Sequence, residues 1–199
     1  MALKSLLVTL MLAAVAVVAV LAGEESTIKG TVKNRWVEKF PIVVFIEDIP
    51  GQKFTAPEKP AQVDQRDKVF VPRVLPVVAG TKVDFLNNDP FEHNVYTPDK
   101  EKYNLGNWPK GEVRSHTFKE TGVYTQLCKM HPEMIAYVVV LKNPYFAVTD
   151  AKGNFTIKGV PAGSYKLKVW GERLRPKQLE QTFDVKVEAA KEVSVTLEP

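Results

Sequence analysis

Cys128 is the only cysteine in a chain of 199 residues, and it stands in the stretch LCKMHPEM (127–134) with two of the four methionines and one of the three histidines. A nucleophilic thiol needs a neighbouring base and a third group to orient that base. Here the cysteine ends a strand-like run, GVYTQLC, and the nearest histidine is followed by proline. A structural zinc site normally shows more cysteines or paired C-x-x-C elements. Iron–sulfur clusters need several thiolates, and a c-type haem needs C-x-x-C-H. One arrangement uses what is present with nothing left over: two imidazoles and one thiolate in a trigonal set, with a weak thioether on the axis.

That donor set holds copper for electron transfer. Thiolate and thioether suit Cu(I), imidazole suits both oxidation states, and a geometry fixed by the protein keeps reorganisation low. The spacing C-x-x-H-x-x-M lets one tight loop turn Cys128, His131 and Met134 toward one point. The second histidine must come from elsewhere, and His93 and His116 compete for the place. His93 lies in NNDPFEHNVYT, just after the strand-like TKVDFL and in a turn-prone setting; His116 lies in VRSHTFKE, where no turn puts it at a loop end. The setting favours His93.

The elements that must position these residues are short. Alternating runs such as TIKGTV, PIVVFIED, VLPVVAG, KVDFLN, GVYTQL, AYVVVLK, NFTIKG, SYKLKVW, TFDVKVE and EVSVTLE are rich in Val, Ile, Phe, Thr or Tyr and bounded by Pro, Gly, Asn or Asp. Many short strands with turn signals between them indicate β-sandwiches or barrels. The expected fold is therefore all-β, with two packed β-domains. Two stretches lack alternation: 49–68 reads as a linker or crossover, and 97–112 as a long loop beside a site.

GVYTQLCKMHPEMIAYVVV together with GTKVDFLNNDPFEHNVYT resembles the small blue copper proteins, the cupredoxins of the plastocyanin and amicyanin type. The resemblance lies in a Gly-x-Tyr strand leading to Cys, then His-Pro and Met, then a Val-rich final strand, with an earlier His-Asn-Val after an Asn-containing loop. The short Cys–His–Met spacing is closer to amicyanin than to plastocyanin. The resemblance implies a Greek-key β-sandwich and one type 1 copper ion held by His93, Cys128, His131 and Met134. It implies further that Asn94 ties the two ligand loops together near the thiolate. His131 would be partly exposed as the electron port, with Pro90, Phe91, Met130 and Pro132 as an apolar patch for transient docking. Glu92, next to His93, and Glu133, two residues past His131, have a solvated charge as their default role.

The flanks raise a second question. FAVTDAKGNFTIKGVPAGSYKLKVW resembles the carboxypeptidase-regulatory-like, transthyretin-like β-sandwich family, with DAKGN and VPAG as turns and QTFDVKVEAAKEVSVTLEP as a closing hairpin. The opening strands of such a sandwich are missing from that end of the chain. TIKGTVKNRWVEKFPIVVFIED supplies them from the other end. The expectation is a discontinuous sandwich, residues 23–57 plus 143–199, with the cupredoxin segment, 58–142, inserted between two of its strands. Insertion at an exposed loop is tolerated because the loop ends are close in space. The rival arrangement is one elongated cupredoxin over 23–142 followed by a C-terminal module.

The first 22 residues carry Lys4, an apolar run from Leu6 to Leu21 and then Ala22, which is the plan of a secretory signal peptide. An uncleaved anchor is the alternative, but polar GEES follows the run at once. No cysteine follows the run, so a lipid anchor there is excluded. The expected location is periplasmic or secreted, with no membrane association after cleavage. A lone thiol in an oxidising compartment is a hazard unless something occupies it. The formal charge of +4, with no basic run, gives nucleic-acid binding little support. The functional expectation is a shuttle of single electrons between redox partners such as a cytochrome or a dehydrogenase, and not an enzyme. A copper carrier or store is the alternative. A reductase or oxidase role would need a second metal centre built around His116.

Overall fold

The computed structural model describes residues 26–199; the expected signal segment lies outside the described residues. The described residues open with two strands, β1 (Ser26–Val32) and β2 (Val43–Ile46). The middle of the chain forms β3 (Ala61–Arg66), β4 (Val69–Val71), β5 (Val74–Val78), β6 (Lys82–Leu86), β7 (His93–Thr97), β8 (Tyr103–Trp108), β9 (Val113–Thr117), β10 (Gly122–Leu127) and β11 (Ile135–Leu141). After these come β12 (Phe146–Val148), β13 (Asn154–Val160), β14 (Gly163–Trp170), the single helical turn α1 (Pro176–Leu179), β15 (Phe183–Val187) and β16 (Glu192–Leu197). The fold is all-β.

Strand pairing joins the two ends of the chain. β1 lies between β13, antiparallel, and β16, parallel, while β2 lies between β12 and β14, with β15 outside β14. The middle strands pair among themselves, in the orders β5-β11-β10-β7-β8 and β4-β3-β6-β9. Each pair of sheets closes over its own core. Ile28, Val44, Phe155, Ile157, Leu167 and Leu197 fill one, and Val63, Phe85, Trp108, Phe118, Tyr124 and Val138 fill the other. A third, smaller cluster of Val43, Val74, Val139 and Leu141 joins them, with Tyr137 and Trp170 packed against it. Two glycines are required by close approach: a Cβ on Gly30 would lie 2.4 Å from the Val195 carbonyl oxygen, and one on Gly153 (φ +84°) 2.3 Å from that of Val32.

Two of the expected loops contain strands. β8 falls inside 97–112, where a loop was expected; it is an edge strand whose residues are mostly polar and exposed up to Trp108, so its sequence shows no alternation. β3 falls inside 49–68 because its inward positions are Val63 and a fully buried polar residue, Gln65, whose amide donates to the Leu86 carbonyl. Residues 49–60 remain the connection that was expected there.

Candidate metal centre

The ends of three neighbouring strands deliver the donors. β7 begins at His93, β10 ends one residue before Cys128, and β11 begins one residue after Met134. β7 and β10 meet at the pair Leu127–Tyr96, which holds the two donor-bearing ends side by side. The loop from Cys128 to Met134 is closed by a hydrogen bond from the Met134 amide to the His131 carbonyl, 2.9 Å.

His93, Cys128 and His131 each turn one donor atom to a common point, with all three atoms within 4.8 Å of one another. Cys128 Sγ lies 3.9 Å from the Nδ1 of His93 and 3.9 Å from the Nδ1 of His131, and the two Nδ1 atoms are 3.2 Å apart. His93 and Met134 are fully buried and Cys128 nearly so, whereas His131 is partly exposed. Of the two competing histidines the structure brings His93 to the cysteine. His116 lies on β9 in the other sheet, stacked on Tyr103 at 4.1 Å and 3.5 Å from Glu101.

A carboxylate fixes the direction of the His93 lone pair. His93 Nε2 is 2.6 Å from Asp89 Oδ2, and both side chains are buried. An ionised carboxylate only accepts, so Nε2 carries the proton and Nδ1 faces Cys128 with its lone pair free. Asp89 also accepts from the amides of Asp67 (2.6 Å) and Lys68 (3.0 Å), in the turn between β3 and β4. Burial alone would raise the pKa of Asp89, but the Lys68 amide, His93 and the Asp67 amide outweigh it and hold the carboxyl below its ordinary value. Asn87 orders the same loop. Its amide donates to the carbonyls of Phe91 and Trp108, 2.9 Å each, and its carbonyl accepts from the Asp89 amide. Sequence reasoning missed Asp89. The one signal was an acid four residues before the histidine, and only the loop's path makes that spacing meaningful.

Asn94 departs from expectation. Its amide donates to Asn104 Oδ1 (2.7 Å) and to the Gly106 carbonyl (2.8 Å), tying β7 to β8 rather than to the cysteine loop. Its own Oδ1 is buried without a hydrogen-bond partner. The physical reason is that β8 fills the space beside β7 where a loop was expected, and an irregularity in their pairing beside Asn94 leaves two β8 acceptors at short range. Pro90, Phe91, Met130 and Pro132 are all exposed. The Phe91 ring lies against both imidazoles, with centroids 5.2 Å from His93 and 5.7 Å from His131, and Lys68 Nζ sits 5.4 Å from its centroid.

The donor chemistry fits one copper ion. A thiolate and two imidazole lone pairs converge in a pocket that is buried except on the His131 side, and a fully buried methionine closes the loop. Residues 58–141 match the family model for copper binding proteins, plastocyanin/azurin family, so this segment is a cupredoxin and its cofactor is copper. Residues 133–195 match the model for polysaccharide lyase family 4, domain II. That second match supports the β-sandwich of the flanks in part, since it begins inside the copper segment and does not reach β1 or β2.

Among solved structures, a novel purple cupredoxin from Nitrosopumilus maritimus is 27% identical over 40% of this chain and 98% of its own, with a TM-score of 0.38. A reduced Cu(I) form of an amicyanin mutant is 26% identical over 49% of this chain and 97% of its own, TM-score 0.40. A copper-containing nitrite reductase from Thermus scotoductus SA-01 is 28% identical over 49% of this chain but only 25% of its own, TM-score 0.41. No curated protein sequence matches the chain significantly.

Proposed function

We propose that the protein is a periplasmic or secreted type 1 copper protein that carries single electrons between larger redox proteins. The convergence of His93 Nδ1, Cys128 Sγ and His131 Nδ1 carries this reading, and the buried Met134 would supply the fourth, weaker donor. When bound, copper supplies the one-electron Cu(II)/Cu(I) couple. Everything else belongs to the chain. Asp89 fixes the tautomer and ring plane of His93, burial shields Cys128 from water, and the partly exposed His131 gives the shortest path to the surface. Phe91, Pro90, Met130 and Pro132 surround that exit with apolar area suited to a brief contact with a cytochrome or a dehydrogenase. We read residues 58–142 as inserted into a sandwich made by 23–57 and 143–199, because β1 and β2 pair only with strands that follow β11 among the described residues.

A copper carrier or store is the competing reading. A redox titration of the copper-loaded protein separates the two. A reversible one-electron couple with the metal retained in both states is expected of the shuttle. Release of the ion on reduction or on oxidation would assign the carrier role instead.

A further inference from the structure

One ion pair, exposed on its Arg73 side and buried on its Glu172 side, crosses from the outer sandwich, the one built from the flanking strands β1, β2 and β12–β16, to the copper segment. Arg73, in the connection between β4 and β5, holds Glu172, just past β14, through two parallel hydrogen bonds of 2.6 and 2.8 Å. The Glu172 side chain is 6% exposed, and the Tyr137 hydroxyl donates to its second oxygen at 3.3 Å. A bidentate guanidinium–carboxylate pair fixes both groups in position and orientation. The rest of Arg73 faces the metal loop. Its Nη1 reaches the Ile135 carbonyl at 3.4 Å, and its own carbonyl accepts from the Tyr137 amide at 2.9 Å. Ile135 is the first residue of β11 and follows Met134 directly.

Met134 needs such an anchor. A cleft of about 310 Å³, lined by Phe70, Arg73, Glu133, Met134 and Ile135 among others, opens between β4 and the end of the loop. The residues flanking the axial donor are therefore not braced from every side, and a shift of the loop has space to occur. On the far side the outer sandwich is firm: Gly171 leaves no free room beside Ile42 and Leu174, and the Tyr137 ring packs on Trp170 at 5.0 Å.

We propose that Glu172 and Arg73 are positioning residues for the copper site, through which the outer sandwich sets the placement of the axial Met134. The proposal rests on the copper reading given above. It assigns the outer sandwich a function in the metal chemistry, beyond presenting the inserted segment. The weak axial ligand tunes the potential of such a site, so releasing the clamp alters the relative affinity for Cu(I) and Cu(II) while the three stronger donors stay in place.

The test compares full-length native protein with Glu172→Gln, Arg73→Lys and a remote control, Glu198→Gln, which opens the exposed Lys33–Glu198 pair. Two readouts are taken. The first is amide hydrogen exchange of residues 133–137 in the metal-free protein, where Glu172→Gln and Arg73→Lys are expected to exchange at least tenfold faster and the control to match native. The second is the midpoint potential of the copper-loaded protein. A threefold or larger change in the Cu(I)-to-Cu(II) affinity ratio is expected in both clamp variants, with the blue absorption retained. Clamp variants that fold, bind copper and match native in both readouts overturn the inference. If Glu172→Gln fails to fold, Arg73→Lys alone decides, since lysine keeps the charge and loses only the fork. A native protein that takes up no copper sinks the functional reading, and the exchange comparison then still decides whether the clamp holds the loop.

Discussion

Cys128 and Asp89 act on the same cluster in separable ways. Cys128 supplies an electron-rich donor, whereas Asp89 touches no donor atom and works through the far nitrogen of His93. Replacing Asp89 with Asn removes the charge and blurs the tautomer, and losses of this kind typically cost about 10–100-fold in metal affinity. Competition against a chelator of known affinity checks this, with the thiolate absorption expected to survive. Affinity unchanged in Asp89→Asn would show that the carboxylate serves only the Asp67–Lys68 turn. Cys128, His131 and Met134 stood out in the sequence as candidate donors because their types are rare here and their spacing is local, and His93 because of its turn-prone setting; the structure brings His93, Cys128 and His131 together. Asp89 was not, because acids are common and its role depends on a loop doubling back. Asn94 was misread for a related reason: its partners on β8 belong to a strand that the sequence did not reveal.

Elements reached through buried polar residues were the hardest to read. β3 and β8 place Gln65 and a row of exposed polar residues where alternation would demand apolar ones, so hydrophobic periodicity is silent there. Runs such as YVVVL and KVDFL announced their strands because hydrophobic side chains alone face the core. One loop-to-strand tether gives a pH test. Glu101 accepts from the amides of Lys119 and Glu120 and from the Tyr124 hydroxyl, tying the β7–β8 connection to the β9–β10 turn. Burial alone would raise its pKa, but the Glu120 amide, Tyr124, the Lys119 amide and His116 together hold the carboxyl below its ordinary value of 4.5. A depressed carboxyl stabilises the fold above the unfolded-state value and loses that contribution as pH falls through the folded one. Glu101→Gln is expected to cost about 1–3 kcal/mol near neutrality. The gap between variant and native should narrow as pH falls below the ordinary carboxyl value and close once it passes the lower folded one, as read by urea unfolding at a series of pH values. A gap that stays constant into acid would mean that the charge on Glu101 contributes nothing.

Among the described residues, contacts between distant parts of the chain join the two sandwiches. The two ends of the chain pair with each other through β1, β13 and β16, and the sequence hinted at such pairing because the Gly-x-Val opening lacked partners at one end and the closing hairpin lacked them at the other. The seam between sandwiches was not, since Arg73 and Glu172 are 99 residues apart and neither belongs to a pattern. Val43, Val74, Val139 and Leu141 form a shared core, so the two sandwiches are expected to unfold in one cooperative calorimetric transition. Leu141→Ala should lower that single transition, at a cost of about 2–5 kcal/mol. Two resolved transitions, with only one of them moved by the substitution, would show that the seam does not couple the halves.

A copper thiolate at Cys128 would be visible by eye, so the decisive experiment is a Cu(II) titration of the protein followed by its visible spectrum, beside a Cys128→Ser variant. Intense blue absorption saturating at one equivalent in the native protein, and absent from a folded Cys128→Ser, is the expected result. A folded native protein that stays colourless with copper in excess would rule out the thiolate site and return Cys128 to the role of a buried core residue.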